Sequence, residues 1–238
     1  MRKTGWFNEA KRHSLAAQGV KTGRKTKRKI IYSRVRTVER HLFDDFDTTF
    51  LPIEESIEVN ETKDGYELKY LTYDPEPDDP RNWDNLGKMV CFHQRYTLGD
   101  KTDYNLNNYD SWEELAEAIK EEENPAIMLP LYLYDHSGLR MKVGSFQGLL
   151  PQGHAEFDSG QIGFIYVTKE DLKKEGLTTK KAKNILQGEV STYDQYLIGD
   201  VYSIVKETYD KEKNQIDHDS VGSYFGYEYA ENALETDI

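Results

Sequence analysis

Two places in this sequence combine residue types that could do chemistry. The first is Asp135-His136, with His154, Glu156 and Asp158 further along the chain. Carboxylates and imidazoles like these hold Mn, Zn or Fe, and such ions activate water for hydrolysis. His154, Glu156 and Asp158 alternate, so an extended segment would set all three on one face. Metal ligands must converge within about 2.0–2.6 Å of one point, so residues 144–160 would have to fold back over the turn at 135–138. Gly144, Gly148, Gly153 and Gly160 give that stretch the freedom to do so. Asp, His, Ser and Gly at 135–138 are also ordinary turn formers, and the two readings stand side by side. On the chemical reading the set is Asp135, His136, His154 and Asp158. It would make a metal-dependent hydrolase, the one reading here that implies a cofactor, a divalent metal.

The second place is Cys91 with His93, two apart on a strand expected over Lys88–Tyr96. A thiolate beside an imidazole is a nucleophile–base pair in principle. Same-face strand neighbours project in parallel rather than converge, however, and a lone cysteine is among the most commonly buried residues. The structural reading is preferred. Gly19-Val20-Lys21-Thr22-Gly23-Arg24-Lys25-Thr26 has the look of a phosphate-binding loop and fails on spacing: three residues rather than four separate the glycines, and Arg24 displaces the required Gly-Lys step. The dinucleotide-binding glycine fingerprint, paired-cysteine zinc motifs and HExxH are all missing. A non-enzymatic protein is favoured.

Charge is divided unevenly. Residues 1–40 hold thirteen Lys or Arg against Glu9 and Glu39, while the whole 238-residue chain carries −12. The remainder therefore stands at −23. Such a basic segment reads as an arm for nucleic acid, or for an acidic surface, through Lys21, Arg24, Lys25, Lys27, Arg28, Lys29, Arg34 and Arg36. The acidic remainder would repel phosphate backbones and is a poor general nucleic-acid binder. It could instead imitate the charge of DNA, through runs such as Asp44-Asp45-Phe46-Asp47 and Glu121-Glu122-Glu123. One cysteine excludes an internal disulfide framework and points to a reducing, cytoplasmic compartment. The chain shows neither an apolar run of membrane-spanning length nor an apolar signal-peptide core, so no membrane partner is expected.

The elements that must position these residues follow from periodicity. A basic helix is expected over 6–18, then a charged linker, giving a division into 1–40 and an acidic domain over 41–238. Ile53–Asn60 and Tyr66–Tyr73 flank Asp64-Gly65, a hairpin signal. Ser111-Trp112-Glu113-Glu114 opens a helix to about Glu122. Ala126–Tyr134 and Leu139–Val143 flank a turn, Gln161–Val167 is a buried strand, and Thr168 caps a short helix. Ala182, Ile185, Leu186, Val190, Tyr193 and Leu197 fall on one stripe of a helix from about Thr178 to Leu197. Val201–Tyr209 and Val221–Tyr229 make a last strand pair. Strands outnumber helices and mostly follow one another directly. The expected fold is α+β, mainly antiparallel, with two or three helices.

Several stretches are distinctive as text: Asn82-Trp83-Asp84-Asn85-Leu86-Gly87, Met89 to Asp100, Leu129 to Gly138, Asp158 to Val167, and Thr192 to Tyr202. They resemble a family of uncharacterised proteins encoded by bacteriophages, plasmids and other microbial mobile elements, over about residues 80–205. The resemblance implies a context, the interior of a host cell, in which small acidic proteins often act by occupying host defence or nucleic-acid enzymes. The same motifs place Asp84, Asn85, His93, Arg95, Asp135, His136, Asp158, Gln161 and Asp194 within apolar strands and their turns. Either a buried polar network or a concave site would account for them. A protein partner is the expected target.

Overall fold

Asp64-Gly65 turns the chain where the sequence says it should, and the strands on either side pair at once. In the computed structural model, which describes Phe46, 52–53, 56–136, 138–149 and 157–236, β1 (Glu58–Glu61) runs antiparallel to β2 (Gly65–Tyr73) with Val59 opposite Leu68. The next strand to join β2 is β7 (Val201–Asp210), in unbroken register from Gly65↔Asp210 to Tyr73↔Tyr202. β8 (Gln215–Phe225) follows through the turn at 211–214, giving the sheet order β1-β2-β7-β8.

The residues between β2 and β7 make a second antiparallel sheet. It comprises β3 (Lys88–Cys91), β4 (Pro125–Asp135), β5 (Leu139–Val143) and β6 (Ser159–Thr168), in the order β3-β6-β4-β5. Helix α1 (Trp112–Glu123) precedes β4, with Ser111 accepting the Glu114 N–H as its cap. The short α2 (Lys169–Lys174), capped by Thr168, and the long α3 (Thr179–Ile198) follow β6, and α4 (Tyr227–Thr236) follows β8. Among the described residues four helices and two antiparallel sheets make the chain α+β, as expected, and α4 is the helix the sequence does not suggest.

Contacts gather the described residues into two units. One is Asp79–Ile198; the other joins the residues up to Asp78 to those from Gly199 onward. The sequence is read as one acidic body over 41–238 and gives no sign of this division. In the Asp79–Ile198 unit the alternation of β3 and β6 sends side chains to two apolar layers. Met89, Cys91, Ile165 and Val167 pack with Leu131, Leu133 and the Ala182, Leu186, Val190, Tyr193 stripe of α3. Val90, Phe164 and Tyr166 pack with Leu115, Ala116 and Ile119 of α1. Both faces of β6 are thus covered, which explains why Ile162–Val167 is apolar without alternation. A Cβ at Gly163 would land on the Val90 carbonyl, so the close pairing with β3 requires glycine there.

In the other unit Leu71, Tyr202 and Ile204 pack under Ala230, Ala233 and Leu234 of α4, while Phe46 packs with Leu68 and Tyr209. Glu207 is fully buried, accepting from Tyr209 Oη at 2.9 Å and Gln215 Nε2 at 3.2 Å, with His218 Nδ1 at 3.2 Å. Four expectations are corrected. β1 begins at Glu58 rather than Ile53, because the Ser56 N–H turns back onto the Ile53 carbonyl at 2.9 Å. β3 stops at Cys91 rather than running to Tyr96, because the ladder with β6 ends at the Phe92 N–H bond to the Ile162 carbonyl. β8 begins at Gln215, directly after the turn, not at Val221. Residues 227–229 open a helix instead of ending a strand, since Tyr227, Ala230, Ala233 and Leu234 share a helical stripe facing the sheet. The basic helix and arm expected within 1–40 lie outside the described residues. No helix among the described residues is long and apolar enough to cross a membrane.

Candidate functional site

The residues singled out by the sequence meet at one end of the β3-β6-β4-β5 sheet. Tyr134 of β4 lies opposite Ser159 of β6, and the Asp135 N–H donates to the Asp158 carbonyl at 2.9 Å, extending the ladder by one step. That step places Asp135, His136 and Asp158 side by side. The chain leaving β3 then crosses the same end. Its tight turn, with the Arg95 N–H donating to His93 Nδ1 at 3.3 Å, brings His93, Arg95 and Tyr96 over Asp135.

The charges there are matched pairwise. The Arg95 guanidinium donates to Asp135 Oδ2, and His93 Nε2 lies 3.8 Å from the same oxygen. His136 Nδ1 lies 3.2 Å from Asp158 Oδ2. Tyr96 stacks on the His93 ring at 5.0 Å, with the Arg95 guanidinium 5.4 Å from the Tyr96 centroid. Nδ1 of His93 accepts the Arg95 N–H, and Nε2 is the ring nitrogen that faces Asp135. Around these groups opens a cleft of about 980 Å³, lined by residues of the 91–107 stretch, by Leu133 and Asp135, and by 157–162. Such a lining can hold a ligand by stacking on Tyr96 and by hydrogen bonds to Gln94, Asn105 and Gln161.

Of the four residues expected to hold a metal, Asp135, His136 and Asp158 sit at the same strand ends, His136 against Asp158 and Asp135 against Arg95. His154 and Glu156 lie outside the described residues. Among the described residues no three His, Cys, Asp or Glu side chains converge as a metal-holding group. Cys91 also reaches the cleft wall, but burial pushes its thiol up to about 12, so it stays protonated and is a poor nucleophile. Cys91 and His93 do not share a strand, since β3 ends between them. The basic residues Lys21, Arg24, Lys25, Lys27, Arg28, Lys29, Arg34 and Arg36 lie outside the described residues.

A second polar cluster lies inside the same unit. The Arg81 guanidinium, 4% exposed, donates from Nε and Nη2 to Asp100 at 2.8 Å each, from Nη2 to the Gly87 carbonyl at 2.7 Å, and from Nη1 to Glu189 at 3.4 Å. Glu189 in turn accepts the Leu86 N–H at 2.7 Å and the Gly87 N–H at 3.1 Å, and Asp100 accepts the Met89 N–H at 2.7 Å. Burial pushes the Glu189 carboxyl up, opposed by Arg81 and the two backbone donors. Burial likewise works against the Arg81 charge, but Asp100 and Glu189 outweigh it and hold the guanidinium protonated. A Cβ at Gly87 would stand 2.8 Å from Glu189 Oε2 and run into Leu186, so only glycine lets the loop reach the carboxylate. Asp194 has a similar task, taking the Met141 N–H at 2.7 Å and Arg140 Nη2 at 2.9 Å to fasten α3 to β5.

Arg81 and Glu189 escape a search for catalytic motifs. The signal for Glu189 is present nonetheless: it falls on the apolar stripe of α3, between Leu186 and Val190, where a charge must find a buried partner. The distinctive motifs thus serve in part as a closed ionic network (Gly87, Asp100), in part as the tie of α3 to β5 (Asp194), and in part as the cleft (His93, Arg95, Asp135, Asp158, Gln161). No family model, curated protein or solved structure matches the chain.

Proposed function

We propose that this chain is a mobile-element accessory protein that acts by binding. Its acidic body engages a protein partner, a host or viral enzyme that handles nucleic acid or defends against it, and residues 1–40 contact nucleic acid or an acidic surface. The observation that carries the reading is where the acidity sits. Residues 56–78 and 199–236 hold sixteen Asp or Glu against five Lys or Arg, while residues 79–198 hold nineteen against thirteen. The excess thus gathers on the β1-β2-β7-β8 unit, with Glu212, Asp217 and Asp219 exposed. The resemblance of the motifs to mobile-element proteins supports the same reading. In the cleft, Asp135 is engaged by Arg95, and Asp158 by His136.

The test is capture of partners by the intact chain from host lysate at low and raised salt. Salt-sensitive recovery of a nucleic-acid-handling protein, whose DNA binding the chain competes, is the expected result. Recovery of none would sink the reading. For the arm, removing residues 1–40 should weaken nucleic-acid binding and flatten its salt dependence, because released counterions set that slope. Equal binding by the shortened chain would reassign it.

The hydrolase reading rests on the adjacency of Asp135, His136 and Asp158. It is decided by metal content: a bound divalent ion that His136→Ala and His154→Ala both remove would establish it, and equal content in all three proteins would dismiss it.

A further inference from the structure

Six consecutive residues of β8, Gln215–Ser220, are exposed. Among the described residues no strand pairs with β8 on the side away from β7. Backbone groups of alternate residues on such a strand point away from the sheet. The Asp74 N–H donates to the Val201 carbonyl, so the odd-numbered residues of β7, Glu207 among them, turn their backbone groups to β2; His218, opposite Glu207, therefore points its N–H outward, where the Asp217 carboxylate accepts it at 3.0 Å. The two-residue period puts Ser220 on the same outward phase; Ile216 lies at the register shift between Gln215 and Asp217, where that period breaks. Natural sheets protect an edge by shortening it, interrupting it with proline or lining it with charge. β8 runs for eleven residues without proline. Two register irregularities, at Ile216 and at 222–223, bound its regular stretch, and that stretch is guarded by charge of one sign, Asp217 and Asp219, two residues apart and so on one face.

A guard of one sign is selective. It repels another acidic edge, including β8 of a second copy, since like charges directly opposite one another destabilise a strand pair. It admits a strand with Lys or Arg at alternate positions. We infer that the outer edge of β8 receives an extended basic segment of a partner protein as an added strand. On docking, a carbonyl of the incoming strand takes the His218 N–H from Asp217. The released carboxylate and that of Asp219 then pair with the incoming cations, while Ile216, 62% exposed, gives apolar contact beside them. The inference rests on the protein-binding reading above and names where the partner sits.

The intact chain is titrated against a labelled short peptide alternating Lys with Val, and against its Glu-Val counterpart, with fluorescence anisotropy as the readout. The basic peptide should bind and the acidic one should not. Asp217→Lys combined with Asp219→Lys should weaken the basic peptide about tenfold and bring in the acidic one. Ser220→Pro deletes an outward N–H at a position where an edge strand tolerates proline, so it should weaken the basic peptide with the circular dichroism spectrum unchanged. Unchanged affinity in the charge-swapped chain or in a folded Ser220→Pro chain overturns the inference. So does a natural chain that takes neither peptide; if its charge-swapped form then takes the acidic one, the edge belongs to this chain's own residues 1–40. A lysate partner retained equally by the natural and charge-swapped chains would sink the edge and keep the function. Peptide binding that follows the charges, with no lysate partner at all, would do the reverse.

Discussion

The two sheets handle charge in opposite ways. In the unit of β3-β6-β4-β5, Arg81 and Glu189 are buried and bonded to loop backbone, Asp100 joins Arg81 to β3, and Asp194 fastens a helix to an edge strand. In β1-β2-β7-β8, Glu207 alone among the acids is fully buried, and β8 displays Asp217 and Asp219 to solvent. Desolvated charges are held in place by their partners and are costly to disturb. Solvated charges contribute little to stability and remain available to a partner. The first sheet uses ionic groups to fix one arrangement of loops; the second leaves them in solvent.

The contrast can be broken by mutation. Arg81→Ala should cost about 3–5 kcal/mol in denaturant unfolding, because the buried Glu189 is left without its cation and the half-buried Asp100 loses its partner. Hydrogen exchange should report the lost protection in β3, β4 and β6; loss confined to β7 and β8 would contradict the assignment. Alkali offers a second handle on the same unit. Burial holds the Cys91 thiol up at about 12, against 9.0 ordinarily, and the Tyr193 phenol at about 12, against 10.0. Both pKa values are raised in the fold, so the stability they contribute is fully present below 9.0 and is lost as pH climbs toward 12. Cys91→Ala should flatten that decline; an unchanged slope would place the titration elsewhere.

Asp194→Ala should cost about 1–3 kcal/mol by orphaning the Met141 N–H, read as a shift in denaturant midpoint. The smallest effect belongs to the other sheet. Asp217→Asn with Asp219→Asn should change stability by no more than about 0.5 kcal/mol, even though it removes the guard from β8. A larger loss would mean that these acids hold the fold rather than face a partner.

Much of the local architecture is legible in the sequence because its causes are local. Asp64-Gly65 makes its hairpin, Ser111 caps α1, Thr168 caps α2, and the stripe of α3 meets the sheet as its spacing requires. The chemistry at 135–158 is partly legible too, since a turn between two strands naturally gathers the acids at strand ends. What is not legible depends on partners far away in the chain. Lys88–Tyr96 has the composition of one strand, but the β6 ladder ends at Phe92, and the remaining residues turn back over Asp135. Arg81 looks like an ordinary loop residue until Asp100 and Glu189 are seen around it. At the end of β8, aromatic residues suited to a strand sit on the spacing of a helix, and packing of Ala230, Ala233 and Leu234 on Leu71 and Ile204 settles it. The pairing of β2 with β7 has no local signature.

That pairing bears on how the chain is made. β2 leaves the ribosome long before β7, with all of Asp79–Ile198 still to be synthesised between them. At about 5–20 residues per second, β2 waits several seconds or more with β1 as its sole available neighbour in the sheet. During that interval Leu68, Tyr70 and Leu71, fully buried at the end, have no β7 to cover them. Closing so long a loop by diffusion is entropically unfavourable, whereas an intervening unit that has already folded no longer counts as slack. Synthesis order therefore favours maturation from the middle outward. A nascent chain arrested before Val201 would present β2 as an unpaired, aggregation-prone edge.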